Sequence, residues 1–329
     1  MSDFNPIFAR RVLAGPKGDT GAQGPQGLQG LQGNTGPTGA SGGIIGGRVT
    51  LESGVPVSTS DQTAKSTVYW CPDEYGDSFP LWDGSAWVWW TGQPEKSVVL
   101  SGLTSGKQYD LVLYANGGTT YLDLMPAWAS DTSRASGIER KNGRWVNSSA
   151  VTTVINGFSL SQYRGLIVGT LRTTGTTTTE DSDAKRFVVS LYNRASRRAH
   201  HAETEASWPY TTAAWRKQNN SSSNRIEWID PIGDMLIQIF NQAVSNNSTA
   251  DVTRYIGIGI DSETVDTNSA SSTNVTTSGG DAYSAVAVTK IVGMGYHYAA
   301  ALEFSGSIGT TTWYGNSPDK VFIRAVLNI

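Results

Sequence analysis

Glycine stands at every third position at the start of this chain, at Gly15, Gly18, Gly21, Gly24, Gly27, Gly30, Gly33, Gly36, Gly39 and Gly42. Three left-handed extended chains packed around one axis leave no room there for a Cβ. Ten uninterrupted Gly-X-Y triplets over residues 15–44 therefore specify a collagen-like triple helix. A flexible Gly- and Gln-rich linker is the other structure such a composition can make, but it needs no fixed period. The period calls for three chains, so the protein is expected to be a homotrimer. At about 3.1 Å per residue the rod spans roughly 90 Å. Prolines occur only in the X position (Pro16, Pro25, Pro37), and Gln and Thr dominate Y. Such a rod is marginal alone. The domains that follow it are expected to hold the three chains together and raise their effective concentration.

The absence of proline from Y points to a source without prolyl hydroxylation, a bacterium or its phage. A net charge of −3 and a pI near 5.7 argue against nucleic acid as partner. Cys71 is alone, which fits assembly in a reducing cytoplasm. No apolar run approaches 18 residues, so no membrane span is expected. Arg10 and Arg11 follow rather than precede the first apolar residues, unlike a signal peptide. Abundant Thr, Ser, Gly, Asn and aromatics, with almost no helical periodicity, place the rest of the chain in the all-β class.

Residues 1–14 carry Phe4, Ile7, Phe8, Val12 and Leu13 on a segment too short to own a core. A frayed terminus is the ordinary explanation. A peptide that docks in a groove of another protein, with Arg10 and Arg11 pairing at the rim, explains the five apolar side chains better. After the rod, residues 45–195 read as a β-sandwich-like shoulder and 196–329 as a jelly-roll-like head. In the shoulder, Asp83-Gly84 marks a hairpin carrying Trp82, Trp87, Trp89 and Trp90. Alternation puts Trp87 and Trp89 on one face, Val88 and Trp90 on the other. Such a cluster is a sugar-stacking platform or, more commonly, a core or subunit interface. Asn116-Gly117-Gly118 and Asn142-Gly143 mark further turns.

Residues 194–201 form the only basic run and read as a linker packed across a trimer interface. His200 and His201 lack a Cys or carboxylate at ligand spacing, so no metal is expected. In the head, strands are expected over 207–218, 224–230, 235–246, 254–261, 284–298, 300–307 and 320–328. Trp313 and Tyr314 fall in a stretch that reads as a hairpin tip. Of the two, one is expected to be buried and the other exposed as a glycan contact. Trp208, Trp215 and the loop 262–280 are further aromatic and polar candidates.

Residues 100–114 look like the E-to-F corner of a fibronectin type III-like sandwich. The wider arrangement resembles bacteriophage virion fibre proteins. Residues that carry this resemblance include Gly47-Arg48-Val49-Thr50-Leu51, Trp82-Asp83-Gly84, Tyr192-Asn193-Arg194, Tyr210 to Arg216 and Gly257-Ile258-Gly259-Ile260-Asp261-Ser262. They are similar to a poorly characterised phage structural family, a resemblance covering most of residues 15–261. It implies a trimeric virion fibre assembled in the host bacterial cytoplasm and anchored by its N-terminus. The distal β domain of a tail or baseplate fibre would contact host surface glycan. The alternative is a structural or decorating fibre, on the head or as an adaptor, without receptor binding.

No enzyme motif is present: no Gly-x-Ser-x-Gly, His-Glu-x-x-His, phosphate loop or dinucleotide fingerprint. The candidates for glycan hydrolysis by paired carboxylates would be Asp73, Glu74 and Asp77, or Glu180, Asp181 and Asp183, and both groups lie in polar loops. No enzymatic activity and no cofactor are expected.

Overall fold

The computed structural model describes residues 15, 17–19, 43–266, 269–315 and 321–329. Residues 1–14 and the repeat glycines from Gly21 to Gly42 lie outside the described residues. Gly15 and Gly18 are exposed, with open space where a Cβ would stand. The chain divides into a unit of residues 1–41 and a compact unit of residues 42–329. The second unit is all-β. Its described residues form twenty-seven strands and a single 3-10 turn, Gln218–Asn220.

Short turn signals build the first part of this unit. Strands Gln108–Asn116 and Thr119–Leu124 are joined at Gly117 (φ +57°) and Gly118 (φ +81°), consecutive left-handed residues that match the twist of a tight hairpin. Asn142 (φ +50°) and Gly143 (φ +82°) do the same between Ile138–Lys141 and Arg144–Asn147. The central sheet runs in the order Thr119–Leu124, Gln108–Asn116, Leu166–Arg172, Arg144–Asn147, Ile138–Lys141. A second sheet of Arg48–Thr50, Thr67–Cys71 and Lys96–Val99 packs Val49, Val68, Trp70 and Val98 against Leu111, Leu113, Leu166 and Val188. The resemblance at residues 100–114 has a physical counterpart: the Thr104 amide donates to Tyr109 Oη at 2.8 Å, a tyrosine corner.

From residue 196 onward the strand order is that of a jelly roll. One sheet runs Ser196–Ala202, Phe322–Asn328, Leu236–Asn247, Ala282–Ile291. The facing sheet runs Arg225–Asp230, Gly295–Phe304, Arg254–Ile260, Ala270–Thr273, and all these pairings are antiparallel. Alternation sends Ile237, Ile239, Ile323, Ala325 and Leu327 inward from the first sheet. They meet Trp228, Ile256, Ile258, Ala299 and Ala301 from the second.

Three sequence expectations change here. The basic run is the strand Ser196–Ala202, paired along its length with Phe322–Asn328. Its alternation buries Ala199, and Arg197 and Arg198 turn to Asp181 and Asp183. The segment expected as one strand over 284–298 is two, Ala282–Ile291 and Gly295–Phe304. Gly293 (φ +112°) and Gly295 (φ +138°) turn the chain there, and a Cβ on Gly295 would stand 2.5 Å from the Asp131 carbonyl oxygen. Residues 207–218 likewise split, with Ser207–Tyr210 and Trp215–Lys217 pairing in different sheets.

The two parts of the unit are clasped by the loop from Trp128 to Arg134. Asp110, buried at 1% exposure, accepts from Arg134 Nε (2.7 Å) and Nη2 (2.9 Å), Trp128 Nε1 (3.1 Å) and Thr170 Oγ1 (2.6 Å). Arg134 Nη2 also donates to the Pro231 carbonyl at 2.8 Å, and the Tyr296 amide donates to that of Asp131 at 2.9 Å.

Candidate functional site

The tryptophan hairpin pairs Phe79–Trp82 with Trp87–Trp90, in the register Trp82 opposite Trp87 and Leu81 opposite Val88. Its turn is held by Asp83, whose Oδ1 accepts from the amides of Ser85 and Ala86, both at 2.7 Å, and from Ser85 Oγ at 2.9 Å. Those backbone donors, Ala86 foremost, hold the Asp83 carboxyl below the usual range.

One face of the hairpin carries Trp82, Trp87 and Trp89, all half-buried. Trp82 and Trp87 meet edge-on at 5.6 Å. Lys141 Nζ lies 4.2 Å from the Trp82 ring centre, and the Arg144 guanidinium 4.8 Å from that of Trp87. Trp87 Nε1 donates to Asn142 Oδ1 at 3.2 Å. The neighbouring hairpin thus roofs these rings with its cations. A Cβ on Gly43 would stand 2.8 Å from the Trp89 ring, so the incoming chain crosses this face too. These three tryptophans are committed to packing.

The other face opens into a groove. Phe79 and Leu81 are buried beneath it, whereas Val88 is 42% exposed and Trp90 half-buried. Leu81, Val88 and Trp90, with Ala115, Phe158 and Leu160, floor a cavity of about 380 Å³. Asp83, Asn116, Ser159, Ser161 and Arg164 stand around it. Arg164 is fixed by donating Nη1 to the Trp82 carbonyl at 3.2 Å and lies beside Gly84, where a Cβ would approach its Nη2 to 3.0 Å. A cavity of this size with an apolar floor, one guanidinium, one carboxylate and hydroxyl and amide groups suits a small ring with an apolar face and a polar edge. A sugar ring has that form. Of the groove residues, sequence singled out Trp82, Asp83, Val88 and Trp90 of the hairpin and the turn at Asn116-Gly117. Phe158 and Ser161 carry no motif, and chain topology alone brings them to the hairpin.

The sequence-derived glycan contacts lie elsewhere. Strand Thr311–Tyr314 is not a hairpin tip but runs between Ser207–Tyr210 and Leu236–Asn247. Trp313 points inward and is fully buried. Tyr314 points outward but is half-buried, its Oη accepting from Asn246 Nδ2 at 2.5 Å. Trp208 is buried and donates Nε1 to Glu303 Oε2 at 2.8 Å. Trp215 packs on Phe304 and Tyr255. Asp73, Asp181 and Asp183 have structural partners: Asp73 Oδ1 accepts from the Gly47 and Tyr75 amides at 2.9 and 3.0 Å. Asp181 and Asp183 pair with Arg186 at 3.1 and 2.6 Å. His200 and His201 are adjacent on one strand and so point to opposite faces. His201 Nε2 meets Asn224 Oδ1 at 3.1 Å and His200 lies against Phe322. Burial holds both imidazoles below their ordinary pKa.

The sequence matches no protein-family model and no curated protein. Among solved structures it is similar to the Eiger TNF from S. frugiperda, with 12% identity and a TM-score of 0.30, over 41% of this chain and 92% of that one. It is also similar to the infectious bursal disease virus Gx strain, with 11% identity and a TM-score of 0.29, over 83% of this chain and 72% of that one. The VP2 subviral particle of that virus gives 10% identity and a TM-score of 0.26, over 86% and 79%. These weak neighbours include viral particle proteins. At these scores none of them bears on the site.

Proposed function

We propose that this chain is a non-enzymatic, homotrimeric fibre of a bacteriophage virion, anchored to the particle through residues 1–14. In this reading the groove at the tryptophan hairpin takes a host-surface saccharide. The observation that carries the fibre reading is the unbroken glycine period, which ends at Gly42, where the compact β unit begins. A period of three has no use in a single chain, and a rod ending in a rigid β unit is a device for holding a binding surface away from its anchor. The groove supports the saccharide reading because its floor is apolar and its polar groups are fixed by the fold. Each site would be weak, and threefold presentation would multiply it.

The test is adsorption of the purified full-length protein to host cells and to a saccharide array, comparing wild type with Val88→Glu and Ser159→Trp. Both changes fill the groove from exposed positions. At least a tenfold loss is expected. Adsorption unchanged by both variants would place the receptor site elsewhere. No adsorption by wild type would favour the structural or decorating fibre.

A further inference from the structure

The sheet formed by Ser196–Ala202, Phe322–Asn328, Leu236–Asn247 and Ala282–Ile291 has one face on the core and one turned outward. By alternation the outward positions on its long strand are Leu236, Gln238, Phe240, Gln242 and Val244. Leu236 (60% exposed) lies directly opposite Ile291 (55%), and Val326 (53%) opposite Gln238. Further along, Val244 lies between Tyr283 (68%) and Tyr314. Four of the eleven large apolar side chains exposed among the described residues therefore share this one face. Between the two ends, the Arg324 guanidinium covers Phe240 at 4.9 Å and Phe322 at 5.2 Å. None of the outward positions on these four strands is a carboxylate. A contiguous face of this kind is a contact surface.

We propose that it is where three copies of this chain meet, with Leu236, Val326 and Ile291 packed against the neighbouring copies about the threefold axis. The occupant is argued from the chain itself. The glycine period calls for three parallel copies and ends at Gly42. The segment that follows is tied to one end of this sheet: Asn193 Nδ2 donates to the carbonyls of Ile45 (2.8 Å) and Gly47 (3.2 Å). Arg48 Nη2 donates to the Ile329 carbonyl at 2.8 Å, one residue beyond strand Phe322–Asn328. Three chains leaving a triple helix touch one another, so each copy brings this end of its sheet to the common axis. The proposal rests on the trimeric fibre reading and deepens it by naming the face.

The full-length protein is tested by light scattering and sedimentation, comparing wild type with Leu236→Asp, Val326→Asp and the control Val99→Asp, which alters an apolar side chain (58% exposed) on another sheet. The two face variants should dissociate at protein concentrations at least tenfold above wild type, into monomers with unchanged near-ultraviolet dichroism, and should lower the collagen-type thermal transition. Val99→Asp should behave as wild type. Labelling supplies a readout that does not depend on disrupting the contact: Gln238→Cys should react with a maleimide at least tenfold more slowly than Val99→Cys. A wild-type trimer in which Gln238→Cys labels as fast as Val99→Cys would overturn the face while leaving the trimer intact. A monomeric wild type without a collagen-type transition would overturn the fibre reading and this proposal with it.

Discussion

The ion pair of Asp110 and Arg134 offers a direct test of how the β unit is held together. Their side chains are 2% and 9% exposed, and the aspartate accepts four hydrogen bonds, from Arg134, Trp128 and Thr170. Asp110→Ala would leave a guanidinium nearly out of water with no counter-charge, and would strip partners from the Trp128 indole and Thr170 hydroxyl. Removing one member of such a buried pair costs about 3–5 kcal/mol. Each abandoned polar hydrogen has an intrinsic cost of about 1–3 kcal/mol, which overlaps with that figure rather than adding to it. We therefore expect about 4 kcal/mol by guanidinium chloride unfolding at fixed protein concentration, read as a shift of the midpoint with little change in slope. The double variant Asp110→Leu, Arg134→Met removes both charges and should recover more than half of the loss. A single-variant cost under about 1 kcal/mol, or a double variant no more stable than the single, would refute the account. In either case the Pro231 and Asp131 contacts, rather than the charge pair, would be what clasps the two parts.

Two further outcomes follow from features described above. Burial raises the Glu303 carboxyl to about 7 despite its bonds to Arg216 and Trp208. The folded state therefore binds this proton more tightly than the unfolded chain. The stabilisation is complete below about pH 4.5 and is lost as pH rises through about 7. Glu303→Gln should flatten that part of the stability profile, by up to about 3 kcal/mol between pH 4.5 and 8, and a profile unchanged by the substitution would remove Glu303 as its source. Gly27→Ala should lower or abolish the collagen-type dichroism transition of the full-length protein, because three methyl groups cannot share the axis. An unaltered transition would mean that the glycine period is not read as a triple helix.

What the sequence made legible was local. The turns at Asn116-Gly117-Gly118 and Asn142-Gly143 carry their own conformational demand. The hairpin marked by Asp83-Gly84 forms as strands Phe79–Trp82 and Trp87–Trp90. Pairing between distant segments was not legible. Gln62–Lys65 joins Thr179–Asp181, and Lys185–Arg186 runs parallel to Arg225–Asp230. The basic run hid a strand because its charges are satisfied by Asp181 and Asp183 from elsewhere in the chain. The turn at Gly293 was hidden because Val292 and Met294 continue an apolar pattern across it. Alternation required Trp313 and Tyr314 to point apart but could not say which side was core. The groove was illegible for the same reason: it forms where the 79–90 hairpin, the Asn116-Gly117 turn and residues 158–164 converge.

Strand Phe322–Asn328 has a consequence for how the molecule is made. It lies between Ser196–Ala202 and Leu236–Asn247, and the residue after it reaches back to Arg48. Neither neighbour can complete its ladder until the ribosome has delivered residue 328. Chains are synthesised and begin to fold from the N-terminus, and contacts between segments distant in sequence form slowly. Here Ser196–Ala202 waits for a partner that is translated long after it, so this sheet closes late in synthesis.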